Sequence, residues 1–319
     1  MLLGAWGSCG ACAADIDGDT IVGPSDLAVI LSRWSSACVS LEWATVLAND
    51  PDPAVVTDAA LRQAIATTGL PWRVRDNASQ IEMLLVPPGT FEMGCSASLL
   101  SPCASDGREG PVHTVTISRA YYLGRYEVTQ SQWQAVVGSN YSFFQGWQYP
   151  NSANRPVEIV SWNEIQGFLS QTGLRLPTEA EWERAYRAGT TTAFHAIPGH
   201  PQGTNDDALV GNLAWFGGNA GPYGSPTFGT KVVGQKAANG LGLHDMAGNV
   251  DEFVSDWFAP SYGGAGPVID PTGPATGTAR VLRGGSWSSS SGGLRASGRG
   301  SYAPTMSTYY FGFRAARNP

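Results

Sequence analysis

The spacing of hydrophobic and polar positions divides the chain near residue 81. From there, hydrophobic and polar residues alternate in "IEMLLVPPGTFEMG" and "VHTVTISRAYYLGRYEVT", which predicts β-strands. Three later segments have the spacing of short helices, each with a glycine at its end: "TQSQWQAVVG", "SWNEIQGFLSQTG" and "TEAEWERAYRAG". Thr178, followed by Glu181 three residues later, predicts a capping box at the start of the third helix. We therefore expect an α+β domain over residues 81–319.

The second half of this domain is rich in turn-forming residues. The 40 glycines and 21 prolines of the chain approach a fifth of its 319 residues, so we expect many loops and much irregular structure. Strand patterning returns near the end, in "TARVLRGGSW" and "FGFRAAR".

The net charge is −7 and there is no basic block, so nucleic acid is not an expected partner. The longest apolar runs are too short to span a bilayer, and we expect no membrane span.

A repeated pattern marks the first module, residues 1–38. "LLGAWGSC" resembles "ILSRWSSAC", which indicates a repeat whose first copy lacks its front half, although a chance match between short apolar helices is an alternative. Because the first copy lacks its front half, we interpret the chain as N-terminally truncated. The start, "MLLGAWGSCGACAAD", does not resemble a signal peptide, since it has no basic region and too short an apolar stretch, so we expect that any signal peptide was lost with the missing part. Residues 39–80 contain a helical segment and are predicted to be a linker.

The five cysteines lie at positions 9, 12, 38, 95 and 103, all in the first third of the chain. This clustering favours local disulfides in an exported protein, either extracellular or periplasmic. Zinc is the alternative, but no histidine lies among the cysteines and the nearest is His113. Within the repeat, Cys12 is a candidate partner of Cys38, which leaves Cys9 without an assigned partner.

The first module also contains a candidate calcium loop. Carboxylates occupy positions 1, 3, 5 and 12 of the segment that begins at Asp15, a spacing that can wrap oxygen ligands around one calcium ion. The pattern resembles a dockerin-type calcium repeat, but Thr20 stands where a glycine normally makes the sharp turn. A solvated acidic turn is the alternative. The predicted ligands are Asp15, Asp17, Asp19, the Ile21 carbonyl and Asp26.

The motifs of the main domain occur in a characteristic order: "MLLVPPGTFEMG", "RPVEIVSWNEI", "GLRLPTEAEWERAYRAG", "NGLGLHDMAGNVDEF", "VLRGGSW" and "FGFRAAR". This order resembles the formylglycine-generating enzyme (sulfatase-modifying factor) family over residues 81–319. The resemblance implies a C-type-lectin-like α+β fold with little regular secondary structure. It also implies that Cys95 and Cys103 form a disulfide that closes a hairpin.

The same resemblance implies a calcium site in "HDMAGNVDE". Carried over position by position, its ligands are the side chains of Asp245 and Glu252 and the carbonyls of Gly248 and Val250, all oxygen donors. A second family site would begin at Asn212 and the Leu213 carbonyl, but the rest of that motif is shortened here. Calcium is therefore the expected cofactor. The chain departs from the family at Asp251 and Phe253, where tryptophan is usual.

Enzymes of the family oxidise a substrate cysteine with oxygen and a copper ion held by two cysteines. Aligned on "RGGSW", those cysteine positions fall on Ser289 and Leu294. A serine hydroxyl is a poor ligand for Cu(I), which prefers thiolates, and leucine offers no ligand atom. No cysteine follows Cys103. We therefore expect neither copper binding nor formylglycine-generating activity.

A recognition surface is the hypothesis that replaces catalysis. The segment from Ser288 to Tyr310 is rich in Ser, Gly and Tyr, the residue types of antibody paratopes, although a solvated loop has the same composition. Fold relatives include the variable proteins of diversity-generating retroelements, in which this segment is mutated for ligand binding. The candidate contact residues are Ser288, Ser289, Ser290, Ser291, Tyr302, Thr305, Ser307, Tyr309 and Tyr310.

Three functions follow from these patterns. The first is a non-catalytic domain of an exported protein that binds a protein or glycan ligand. The second is an oxidoreductase that acts on a protein cysteine. The third is a structural component of a surface or assembly, docked through the N-terminal repeat.

Overall fold

The computed structural model describes residues 41–319 and two short strands before them. The chain divides into two compact units, residues 1–42 and 43–319. In the first unit, β1 (Gly7–Ser8) pairs antiparallel with β2 (Ile21–Val22), and Ser8 lies opposite Ile21. The other predicted loop ligands and the first candidate disulfide lie outside the described residues: Asp15, Asp17, Asp19, Asp26, Cys12 and Cys38.

The second unit combines short helices and strands. Its strands are β3 (Ala44–Ala48), β4 (Arg73–Asp76), β5 (Glu82–Val86), β6 (Gly89–Met93), β7 (His113–Ile117), β8 (Tyr121–Gly124), β9 (Asp251–Trp257), β10 (Val268–Ile269), β11 (Arg280–Arg283), β12 (Arg299–Tyr302), β13 (Phe311–Gly312) and β14 (Ala316–Arg317). Its α-helices are α1 (Ala59–Thr67), α2 (Gln130–Val137), α3 (Trp162–Thr172), α4 (Glu179–Arg187) and α5 (Val210–Leu213). The predicted α+β class, with much irregular structure, is confirmed.

Three sheets organise this unit. The largest has the strand order β14-β8-β5-β4-β3, and all its neighbouring strands are antiparallel. A four-stranded sheet has the order β12-β11-β9-β13, with β13 parallel to β9, and a three-stranded sheet has the order β10-β7-β6. The four-stranded sheet carries the C-terminal segment, so it positions the candidate site.

The segment predicted as a linker is part of the sheet structure. Residues 39–80 contain the expected helix, α1, but they also supply β3 and β4 to the largest sheet. Val74 pairs with Met83, and both side chains are fully buried. The compact unit therefore begins at Trp43 and not at Ile81. The strands of this segment are only four and five residues long, too short for alternation to distinguish them from loop.

The three central helices begin at side chains that cap them. Thr129, Ser161 and Thr178 each accept a hydrogen bond from the third residue of the helix, whose own side chain bonds back to the cap. The capping box predicted at Thr178 is present. α2 and α3 end at Gly138 and Gly173, whose positive φ angles of 84° and 71° reverse the chain.

Buried ion pairs attach α4 to the four-stranded sheet. Glu183, with no exposed surface, binds Arg187 on its own helix and Arg283 of β11. Glu179 binds Arg299 of β12, with its Oε1 2.6 Å from Nε of the arginine. Removing one partner from such a pair leaves a charge in a region of low dielectric, so these contacts fix the orientation of the helix.

None of the helices within the described part of the chain combines the length and the apolar character needed to cross a bilayer.

Candidate functional site

Two consecutive glycines shape the turn that leads into the C-terminal segment. Gly284 and Gly285 both have positive φ, at 87° and 67°. A Cβ at Gly285 would lie 2.7 Å from the Leu294 side chain, closer than real contacts allow. The glycines therefore let the chain fold back so that residues 286–289 lie against residues 293 and 294.

Trp287 anchors this turn between two other segments. Its backbone N–H donates to the Asn249 carbonyl at 2.9 Å, and its indole Nε1 donates to the Tyr309 carbonyl at 3.0 Å. The side chain is 5% exposed and lies in a cluster with Phe144, Tyr149 and Ala220. The tryptophan thus joins the predicted calcium motif, the C-terminal loop and the aromatic core.

The two positions of the family's copper ligands hold groups that do not suit copper. Ser289 Oγ accepts a hydrogen bond from the Ser286 N–H at 3.0 Å and lies 3.4 Å from Ser286 Oγ. Leu294 is fully buried against Gly285. Neither side chain offers a soft donor atom, so the residues present do not fit Cu(I).

A cleft of about 330 Å³ lies beside Ser289. Asp251 lines it at the position where the family usually has tryptophan, and Ser286 donates a hydrogen bond to its carboxylate. Burial raises the pKa of Asp251 to about 7, and the nearby Glu252 charge acts in the same direction. The other residues that line the cleft include Asp106, Arg108, Glu109, Gly292, Gly293 and Arg299. The sequence showed that Asp251 departs from the family but did not indicate where its side chain lies. The structure places Asp251 at this cleft.

A disulfide loop lies beside the C-terminal segment. Cys95 and Cys103 are joined in a disulfide, with 5.6 Å between their Cα atoms. Asp207 holds the loop in place by accepting hydrogen bonds from Ser98 Oγ and the Leu100 N–H, both at 3.0 Å. The same carboxylate accepts a hydrogen bond from Ser291, so one aspartate connects the disulfide loop to the C-terminal segment.

A row of aromatic side chains extends on both sides of Trp287. Successive ring centroids along it are 4.5–5.9 Å apart. We call it the aromatic row; in order of contact, its rings are Tyr223, Phe228, Trp287, Tyr310, Tyr309 and Phe143. Tyr223 is 90% exposed and Phe143 is 54% exposed. Sequence reasoning missed Phe143, Tyr223 and Phe228, although the aromatic residues of the loops "NYSFFQGWQYP" and "GPYGSPTFG" were an available signal.

The structure brings together only part of the predicted contact set. Ser288 hydrogen-bonds to the Tyr310 side chain, and the hydroxyls of Tyr310 and Tyr309 are 3.4 Å apart. Ser289 lines the cleft, Ser290 is exposed and Ser291 binds Asp207. Tyr302 instead packs against Phe311 at 4.8 Å, and Thr305 and Ser307 are exposed in the loop that follows it.

The predicted calcium motif forms a buried acidic cluster. Asp245 is 1% exposed, and its Oδ2 accepts a hydrogen bond from the Gly234 N–H at 2.6 Å. Its Oδ1 is buried without a hydrogen-bond partner among the described residues. Burial raises the pKa of Asp245 to about 6. A third carboxylate, Glu127, which the sequence did not reveal, has a pKa raised by burial and by the charges of Asp245 and Glu252.

This cluster fits a hard cation in part. The unpartnered oxygen of Asp245 is a suitable ligand, and Gly248 and Val250 contribute carbonyls to the same turn. The turn is tight, because a Cβ at Gly248 would lie 2.2 Å from the Trp215 carbonyl oxygen. Both oxygens of Glu252, however, already accept hydrogen bonds, from Arg314 and from the Trp182 indole.

The structure gives less support to the other candidate metal-binding positions. Asn212 is exposed in α5, and Leu213 is buried beside it, with no further acidic side chain brought to them by a described contact. Cys95, Cys103 and Glu109 form a group of possible metal ligands within the described ranges, but the disulfide and the ion pair of Glu109 with Arg295 occupy all three. A larger concavity than the cleft, about 1230 Å³, lies around α3 and the C-terminus and contains none of the predicted site residues.

The fold and the motif positions together define a C-type-lectin-like domain of the formylglycine-generating type. Residues 67–319 match the family model described as "Sulfatase-modifying factor enzyme 1-like domain". The chain is 32% identical over 311 residues to the formylglycine-generating enzyme of Streptomyces coelicolor, covering 80% of this chain and 94% of that enzyme. The chain belongs to the sulfatase-modifying factor family.

Two solved structures resemble the domain closely enough to support the fold. Treponema denticola variable protein 1 has a TM-score of 0.63 and 31% identity, over 75% of this chain and 95% of that one. PvdO from Pseudomonas aeruginosa has a TM-score of 0.63 and 25% identity, over 77% of this chain and 98% of that one.

Proposed function

We propose that this domain is a non-catalytic member of its family that binds a protein or glycan ligand through its C-terminal segment. One observation carries the proposal: the two positions of the family's copper ligands hold Ser289, which bonds to Ser286, and the fully buried Leu294. Without sulfur at these positions, the residues lack the donors that Cu(I) requires.

The surroundings of these positions support binding. Ser289 lines a cleft of about 330 Å³, near the lower end of the usual size for ligand sites. Exposed tyrosine rings lie in the same C-terminal segment. Tyrosine combines a large rigid contact area with a hydrogen-bonding hydroxyl, and serine adapts to varied partners.

The likeness to a protein named a variable protein supports the further hypothesis that residues 288–310 differ in sequence among copies of this protein. A reverse-transcriptase gene and an adjacent near-copy of this segment would support it, and the absence of both would remove it.

Copper chemistry gives the direct test. The full chain, loaded with Cu(I), is incubated with a cysteine-containing peptide and oxygen, and aldehyde is detected by hydrazide capture. We expect no aldehyde from the wild type. The double variant Ser289→Cys/Leu294→Cys serves as the matched control and is expected to bind Cu(I) where the wild type does not. Aldehyde formed by the wild type would overturn the proposal in favour of an oxidoreductase acting on a protein cysteine.

Calcium is part of the same proposal. We expect calcium to bind in the buried turn around Asp245 and in the loop that begins at Asp15. At both places it would stabilise the fold and would not contact the ligand. Disulfide bonding between Cys95 and Cys103 supports an extracellular or periplasmic location, because such bonds persist in oxidising compartments.

A further inference from the structure

We propose that the ligand of this site is a neutral oligosaccharide, with one sugar ring in the cleft beside Asp251 and Ser289 and the following rings along Tyr310, Tyr309 and Phe143. This inference rests on the proposed function, and it names the chemical class that the site accepts. Three features of the surface support it: the short distance along the backbone between the cleft and the aromatic row, the pairing of the cations, and the kinds of polar and aromatic groups that the surface carries.

Two contacts place the cleft next to the aromatic row. The Asp251 N–H donates to the Tyr310 carbonyl at 2.8 Å, so Asp251 of β9 and Tyr310, the residue before β13, are adjacent along the backbone. Ser288 lies next to the cleft residue Ser289 and hydrogen-bonds to the Tyr310 side chain. A ligand longer than one ring can therefore contact both parts at once.

The cations that line the cleft are already paired. Arg108 binds Asp106, and Arg299 binds Glu179 with its Nε 2.6 Å from Oε1. Arg295, behind the cleft, binds Glu109 at 2.6 Å. Since no unpaired cation is found among the described residues that line the cleft, a phosphate, sulfate or carboxylate ligand would have no counter-charge. An anionic ligand is therefore disfavoured.

The polar and aromatic groups of this surface match the two kinds of surface on a sugar. Asp251 has no cationic partner among the described residues, and it lies with Ser289 at the cleft wall, where both can hydrogen-bond to sugar hydroxyls. Aromatic faces carry a partial negative charge and attract the polarised C–H groups on the face of a sugar ring. The exposed rings Tyr309 and Phe143 lie 5.9 Å apart and extend this surface away from the cleft.

The experiment uses the full chain and defined neutral hexasaccharides. Cello-, xylo-, manno-, malto- and chitohexaose are titrated up to millimolar concentration, and binding is followed by calorimetry and by the tryptophan fluorescence that Trp287 contributes. We expect at least one of them to bind, with little effect of added salt because the ligand carries no charge. Tyr309→Ala and Asp251→Asn are each expected to weaken the binding about tenfold.

Ile269→Ala is the matched control. Ile269 is 71% exposed on β10 and belongs to neither the cleft nor the aromatic row, so its loss should leave the affinity unchanged. An equal loss in this control would overturn the placement of the site. Circular dichroism and thermal unfolding of each variant show whether a lost affinity reflects a lost fold.

Failure of this inference is distinguishable from failure of the proposed function. If none of the five hexasaccharides binds, the neutral-sugar assignment is wrong. If a protein ligand, or a charged glycan with strongly salt-dependent binding, loses affinity in Tyr309→Ala and Asp251→Asn, the sugar class is wrong but binding through the C-terminal segment stands. Aldehyde formation by the copper-loaded wild type would instead overturn the proposed function itself.

Discussion

Arg314 binds Glu252 through a buried ion pair, with 2.7 Å between Nη2 of the arginine and Oε1 of the glutamate. The two side chains are 0% and 1% exposed. Arg314 also donates to the carbonyls of Gly124 and His244, so it joins β8, the calcium motif and the C-terminal strands. The guanidinium is thus a central connection of the domain.

Replacing this arginine should destabilise the domain strongly. Arg314→Met removes the positive charge and leaves Glu252 buried and unpaired, which typically costs about 3–5 kcal/mol. Urea denaturation, with the free energy of unfolding extrapolated to water, measures the loss. The matched control is Arg108→Met, which breaks a largely exposed pair with Asp106 and should cause little change. Equal effects of the two substitutions would contradict the structural role of Arg314.

The pH dependence of stability should reveal a second buried carboxylate. Glu158 is fully buried, and its Oε1 accepts a hydrogen bond from the Phe144 N–H at 2.9 Å. Burial raises the pKa of Glu158 to about 7. The folded state therefore holds this proton more tightly than the unfolded state, so the stability falls as the pH rises from about 4.5 towards 7.

Glu158→Gln keeps the acceptor oxygen and removes the charge. We expect the variant to match the wild type near pH 4.5 and to be more stable above pH 7, by on the order of 3 kcal/mol. Urea titrations at several pH values measure the difference. Glu92→Gln, at an exposed position, should keep the pH dependence of the wild type. A wild type and a Glu158→Gln variant with parallel pH profiles would show that Glu158 does not titrate in this range.

Much of the fold could be predicted from local sequence, while the site could be predicted only in part. The capping box at Thr178 is a contact between near neighbours in the chain, so its pattern is visible in the sequence. The aromatic row depends on contacts between distant loops, such as Phe143 with Tyr309, and no local spacing encodes them. The same holds for Glu127, which meets the predicted calcium motif by accepting hydrogen bonds from the Val250 N–H at 3.0 Å and from Asn249 Nδ2 at 2.6 Å.

Calcium should stabilise the domain through Asp245. The buried Oδ1 of this residue lacks a hydrogen-bond partner among the described residues, which is costly unless a cation binds there. We expect added calcium to raise the melting temperature and a chelator to lower it, because an ion that binds only the folded state stabilises it. Asp245→Ala should remove this response from the main domain.

The N-terminal loop requires its own control in the calcium experiment. Asp17→Ala disables the predicted loop while leaving Asp245 intact, so the two variants and their combination separate the contributions. Metal analysis of each purified protein gives the number of bound ions. If the double variant responds to calcium as the wild type does, neither predicted site holds the ion.

Asp207 should control the order of the disulfide loop. Its carboxylate accepts hydrogen bonds from Ser98, from the Leu100 N–H and from Ser291, and it is 8% exposed. Asp207→Ala removes these acceptors, whereas Asp206→Ala, next to it, removes a carboxylate whose described hydrogen bond is to the nearby Ala208 N–H. We expect faster amide hydrogen exchange at residues 96–102 and at Ser291 in Asp207→Ala, with the disulfide intact. The two segments should lose protection together, because one carboxylate holds both. Exchange that rises in the loop but not at Ser291 would mean that the C-terminal segment is ordered independently of the disulfide loop.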